Sequence, residues 1–180
     1  GIEYQVASHL VYEGLVEEGL RVVKAVRDRY DGFRRNPWDE VECGHHYARA
    51  MSSWGVLLAL AGYSYSAPEM CMGFAPRINA GDFRTVWTAG SGWGTYSQKE
   101  DPGRGLSLTL ETAAGSVDLK DFLVALPAEA AGKAVRSVKA ASGGAAVATT
   151  HRRTDDTVRV TWAKPVRVEP GRPLELTLQF

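Results

Sequence analysis

An α+β chain, helical at its N-terminal end and strand-rich afterwards, is predicted by three features of the sequence. Apolar residues recur in steps of three and four through residues 2–30 and again through 44–61. Beyond Gly62 the period shortens to alternation, as in Leu106, Leu108, Leu110 and Val158, Val160, Trp162. Gly and Pro then punctuate the chain about every ten residues, the spacing of an antiparallel β-sandwich. The expected division is a helical piece over 1–66 and a sandwich over 67–180.

The first helix is expected to run unbroken from Ile2 to about Tyr30, because Ala7, Leu10, Val11, Leu15, Val22, Val23 and Val26 keep the helical period and no proline intervenes. At about 1.5 Å per residue it would be roughly 40 Å long. Gly14 and Gly19 cost helix propensity and are read as places where another helix comes close. Asp31-Gly32 supplies the stop. A second helix is expected from Gly44, carrying Tyr47, Ala50, Met51, Trp54, Leu57, Leu58 and Ala61 and ending at Gly62. Two helices with apolar residues on broad faces need further helices to pack against. The chain is therefore expected to be the C-terminal piece of a longer protein, cut within an all-helical domain.

Strands are expected at 69–75, 83–89, 93–98, 105–112, 119–126, 134–140, 145–150, 157–163 and 173–180, with small-residue turns at 128–132 and 140–146. Phe83, Val86, Trp87, Phe122 and Val124 are expected to face inward. Trp87, Trp93, Tyr96 and Trp162 are expected to be core or interface residues, the alternative being exposed rings that bind polysaccharide, for which Trp93, set between Gly92 and Gly94, is the one placed.

The charge balance excludes several classes of partner. In 180 residues, 21 Lys+Arg stand against 21 Asp+Glu, with no basic stripe for nucleic acid and no polybasic segment for an anionic membrane. No apolar run reaches the ~18–20 residues of a membrane span. Cys43 and Cys71 are too few for a disulfide framework, leaving reduced thiols or one bridge.

Polar chemistry crowds into Arg34–Arg49, reading RRNPWDEVECGHHYAR, at the junction of a long loop and the second helix. Solvated charge is the plain alternative there. Glu42, Cys43, His45 and His46 could ligate a metal, yet they lack the spacing of a known zinc motif. Cys43 beside two histidines could act as a nucleophile, yet nothing local orients a histidine or makes an oxyanion hole. A sugar fits better, since its hydroxyls pair with carboxylate and guanidinium while its apolar face stacks on an aromatic ring. Trp38, Glu40 and Arg49 supply those groups. No cofactor is expected.

The run EYQVASHLVYEGLVEEGLRVVKAVRDRYDG followed by RNPWDEVECGHHYARAMSSWGVLLALAGY resembles the end of the catalytic region of glycoside hydrolase family 116, the family of the non-lysosomal glucosylceramidases (bile-acid β-glucosidase). The match covers residues 1–63. The next stretch, APEMCMGFAPRINAGDFRTVWTAGSGWGTYSQ, looks like the β module of bacterial members, and nothing beyond strands is recognised from about Gly103 onward. The resemblance implies an (α/α)6 barrel that cleaves β-glucosides with retention, our helices being one late pair and their loop lying at the mouth. Retention needs two carboxyl groups about 5 Å apart, one nucleophile and one acid/base. In the family these precede the matched segment, so the resemblance implies no catalytic residue in this chain. Late in the family's barrel a Glu and an Arg nine positions apart hold the glucose hydroxyls, a role carried to Glu40 and Arg49. Glu42 is the second choice for the carboxylate. His45 and His46 lie where they could line the pocket or cap the helix. The implied partners are a β-glucoside and the rest of the barrel.

Overall fold

The computed structural model describes residues 1–37, 45, 49–102, 104–130 and 132–180, with the Glu129 side chain left aside. They form two compact units, Gly1–Gly62 and Tyr63–Phe180. Among the described residues no helix is long and apolar enough to cross a membrane.

In the first unit, the expected single helix is two: α1 (Ile2–Tyr12) and α2 (Val16–Arg29). The chain reverses between them at Gly14, whose φ of +85° a side-chain-bearing residue rarely adopts. The reversal brings Glu3, at the start of α1, within 2.5 Å of Arg29, at the end of α2. Gly14 is thus a turn, with nothing near a would-be Cβ. Gly19 is the point of close approach, where an added Cβ would lie 2.8 Å from the Ala7 carbonyl oxygen and from Val11 Cγ2.

The second expected helix is also shorter. A 3-10 turn over Arg49–Ser52 leads into α3 (Ser53–Ala61), which Gly62 closes with a left-handed cap. The proposed start at Gly44 lies outside the described residues. α3 packs on α1, with Gly55 against Ser8. Tyr4, Ala7, Val26 and Val56 form the shared core, joined by Val22, Val23, Tyr30 and Leu60. Ile2, Val6, Leu15, Met51, Trp54 and Leu58 remain exposed, Trp54 at 60%.

The second unit layers two sheets. One contains β1 (Ser64–Ser66), β2 (Cys71–Phe74), β6 (Val117–Ala125), β10 (Thr157–Val168) and β9 (Thr150–Thr154), in the order β1-β2-β6-β10-β9. The other runs β3-β4-β5-β11-β7-β8, from β3 (Asp82–Ala89), β4 (Gly92–Asp101), β5 (Gly105–Gly115), β11 (Leu174–Gln179), β7 (Ser137–Ser142) and β8 (Ala145–Val147). Their inner faces meet: Phe74 of the first sheet stacks on Tyr96 of the second with ring centroids 3.8 Å apart and planes 2° from parallel. Trp87, Trp162, Phe122 and the leucines of β5 and β11 fill the remaining core.

The structure changes several strand expectations. The expected strand 145–150 is two, β8 and β9. Within 140–146 only Gly143 and Gly144 turn, joining β7 to β8 with positive φ at both residues, while the flanking residues stay in the ladder. The pairing is not wholly antiparallel, because β2 runs parallel to β6 from Cys71 opposite Asp121 to Phe74 opposite Val124. Val86 faces outward, 43% exposed, because it sits one residue from both inward neighbours Thr85 and Trp87 in a strictly alternating strand.

Candidate functional site

The polar loop begins where α2 ends. The Asp31 carboxylate accepts the backbone N–H groups of Phe33 at 2.9 Å and Arg34 at 2.8 Å. These bonds favour the charged form and hold its pKa below the ordinary carboxylate value, the Arg34 bond contributing most. Asp31 thereby fixes the first turn of the loop, an Asx-type use of a short acidic side chain. The Arg35 guanidinium sits 5.6 Å over the centre of the Tyr30 ring. Phe33 is 95% exposed.

Of the sequence-predicted site residues, Trp38, Glu40, Glu42 and His46 lie outside the described residues, as does Cys43. His45 is exposed, with a φ of 69°. Arg49 opens the 3-10 turn, half-buried against the N-terminal residue; a Cβ on Gly1 would lie 2.5 Å from Arg49 Cβ. The Ser52 hydroxyl ties the two segments, 2.8 Å from the Gly1 carbonyl oxygen and 2.7 Å from that of Arg49. The backbone of Arg49 is therefore held against the start of α1, whatever its guanidinium engages.

Next to Arg49, Pro37 and Ala50 border a groove of about 280 Å³ whose other lining residues include Tyr4, Val23, Val56 and Leu60. Arg27 brings a charge to it. The walls are mainly apolar, a surface that suits packing or the apolar face of a ligand. Among the described residues no group of three or more His, Cys, Asp or Glu is placed to hold a metal. Of the four ligands considered from sequence, His45 alone is described.

The aromatic residues of the second unit divide. Trp87, Tyr96 and Trp162 are buried, whereas Trp93 is 52% exposed. Trp93 lies opposite Thr88 on β3, and Val86 lies opposite Thr95 on β4, so these side chains share the outer face of the six-stranded sheet. Gly94 follows at a register shift between β4 and β5, and its missing Cβ makes room for the Glu111 carbonyl. Cys71 is a buried free thiol in β2, its pKa raised chiefly by burial.

No known family model matches the chain, and no curated protein does. Among solved structures, a GH127 β-arabinofuranosidase is similar with a TM-score of 0.39 and 11% identity over 73% of this chain. The chain spans 21% of that protein's length.

Proposed function

We propose that this chain is the C-terminal part of a retaining β-glycosidase of family 116 type, in which Glu40 and Arg49 hold the sugar. The observation that carries this reading is the helical unit itself. Its helices leave Ile2, Val6, Met51, Trp54 and Leu58 uncovered, beside a groove with apolar walls. Large apolar side chains on several faces are what one helix pair of a larger helical barrel would present to its neighbours. The loop that joins α2 to α3 carries an aromatic ring, carboxylates and a guanidinium, the groups a pyranose needs. The residue resemblance of 1–63 supplies the family; Glu42 stays the second carboxylate, and Trp38, His45 and His46 complete the sugar-facing set. The nucleophile and acid/base lie in other parts of the barrel, so the chain alone is inactive.

In this reading Arg49 contributes hydrogen bonds to ring hydroxyls that strengthen as positive charge develops at the anomeric carbon. Arg49→Ala in the intact enzyme lowers kcat as well as kcat/KM for an aryl β-glucoside, by about tenfold or more, the scale of one lost charge-assisted hydrogen bond. An unchanged kcat with a raised KM would make Arg49 a uniform binding group. Absence of any glycosidase activity in the protein that contains this chain would overturn the proposal.

A further inference from the structure

The outer face of the five-stranded sheet carries a basic cleft that the glycosidase reading does not use. Strict alternation in β10 sends Val158 and Val160 into the core and Arg159 outward. Register then places Arg159 directly opposite Arg152 of β9 on one side and Leu123 of β6 on the other. Thr157 lies opposite Thr154 in the same ladder. These five residues line a depression of about 330 Å³, within the range of small-ligand sites.

Its charges are unbalanced. Asp121, whose side chain is only 17% exposed, lies 3.3 Å from the Arg159 guanidinium and accepts the Thr161 hydroxyl at 2.5 Å. Arg153, the next residue along β9, is engaged by the Asp155 carbonyl and by Asp156. Arg152 has no such partner among the described residues. Like charges directly opposite on adjacent strands destabilise a sheet. One carboxylate, already shared with a threonine hydroxyl, leaves one positive charge over. Two guanidinium forks beside two threonine hydroxyls make a donor-rich cleft with an apolar patch at Leu123.

We propose that this cleft binds a small ligand through an oxyanion, a carboxylate or sulfate, held between Arg152 and Arg159. Planar guanidinium groups match such oxygens in pairs. Thr154 and Thr157 offer hydroxyls to the remaining oxygens, and Leu123 covers the apolar part of the ligand. The proposal is independent of Glu40 and Arg49, which lie in the other unit.

The test is titration of the full chain, in low-salt buffer, with glucuronate, inorganic sulfate and glucose, followed by NMR of the arginine Nε–H groups and by calorimetry. Glucuronate and sulfate are expected to saturate, compete with each other and shift Arg152 and Arg159, while glucose does not. Tighter binding of glucuronate identifies a sugar-borne carboxylate, and equal binding identifies the free oxyanion. Arg152→Gln, an exposed change that leaves the Arg159–Asp121 pair intact, weakens binding at least about tenfold, the scale of a charge-assisted bond. Arg104→Gln, in the β4–β5 connection, does not weaken it. Neither anion saturating, glucose binding equally well, or R152Q binding like the parent would overturn the proposal.

Discussion

Trp87 and Trp162 are buried to the same extent and differ in one hydrogen bond. Trp87 Nε1 donates to the Glu111 carbonyl at 3.0 Å, whereas Trp162 Nε1 meets no acceptor among the described residues. Replacing either by Phe removes similar ring volume, a cavity cost common to both. W87F also takes the indole donor from the Glu111 carbonyl, while W162F removes a donor already unsatisfied. Urea unfolding is expected to show W87F less stable than W162F by about 1 kcal/mol; equal losses would mean that the indole bond contributes nothing. Tyr63 sets a pH limit at the same scale. Burial first, and then the neighbouring Tyr65, push its phenol up to about 12 from the usual 10. Its hydroxyl donates to the Thr88 carbonyl at 2.8 Å, a bond only the neutral form can make. Because the folded value lies above the unfolded one, this stabilisation is complete below pH 10 and is lost as pH rises through 12. Buried Tyr96 is raised in the same direction. Unfolding midpoints measured from pH 9.5 to 12 should fall less steeply in Tyr63→Phe than in the parent; parallel curves would remove Tyr63 from the account.

At the scale of elements, Gly14 and Gly19, the two glycines between Ile2 and Tyr30, do opposite things. Gly14 needs backbone freedom and no space; Gly19 needs space and has ordinary helical backbone. Gly14→Asn is therefore expected to cost little, since Asn tolerates left-handed backbone. Gly19→Ala should destabilise the helical unit by about 1–3 kcal/mol, because the added methyl meets backbone as well as the Val11 side chain. Thermal melts followed at 222 nm compare the two, and an unaffected G19A would show that the helices separate freely. The same pair explains where sequence reading succeeded and where it failed. The helical period runs through Leu10, Val11 and Leu15 without a break, so periodicity alone cannot see a reversal made by one residue. The alternation in β3, β5, β10 and β11 was legible because one face of each is buried, which ties side-chain pattern to strand period. The Arg152–Arg159 cleft was not, because the expected strands 145–150 and 157–163 leave Arg152 in a loop, whereas a hairpin turning at Asp155 and Asp156 sets it opposite Arg159 and only Leu123 joins through long-range pairing. The candidate sugar loop is read from composition and resemblance, and of its members the structure adds the backbone settings of His45 and Arg49.

For the whole molecule, the two units differ in how well each can stand alone. The strand unit owns a closed core in which Phe74, Tyr96, Phe122, Trp87 and Trp162 are all buried. The helical unit buries a small cluster around Tyr4, Ala7, Val26 and Val56 and leaves larger apolar side chains in water. Stability scales with apolar area removed from water, at roughly 25 cal/mol per Å², so the helical unit should be the weaker. Heating or urea is then expected to unfold residues 1–62 first and 63–180 later. Loss of ellipticity at 222 nm should precede the change in fluorescence of the buried tryptophans, and amide exchange should be fast in α1–α3 and slow in β5, β10 and β11. A single transition seen by every probe would mean that the two units stabilise each other. Restoring the missing covering bears directly on the proposed barrel. Within a longer protein of the proposed kind, Ile2, Val6, Met51 and Trp54 should become protected and the early transition should disappear. Persistence of that transition in the intact protein would show that these helices are not part of a barrel wall.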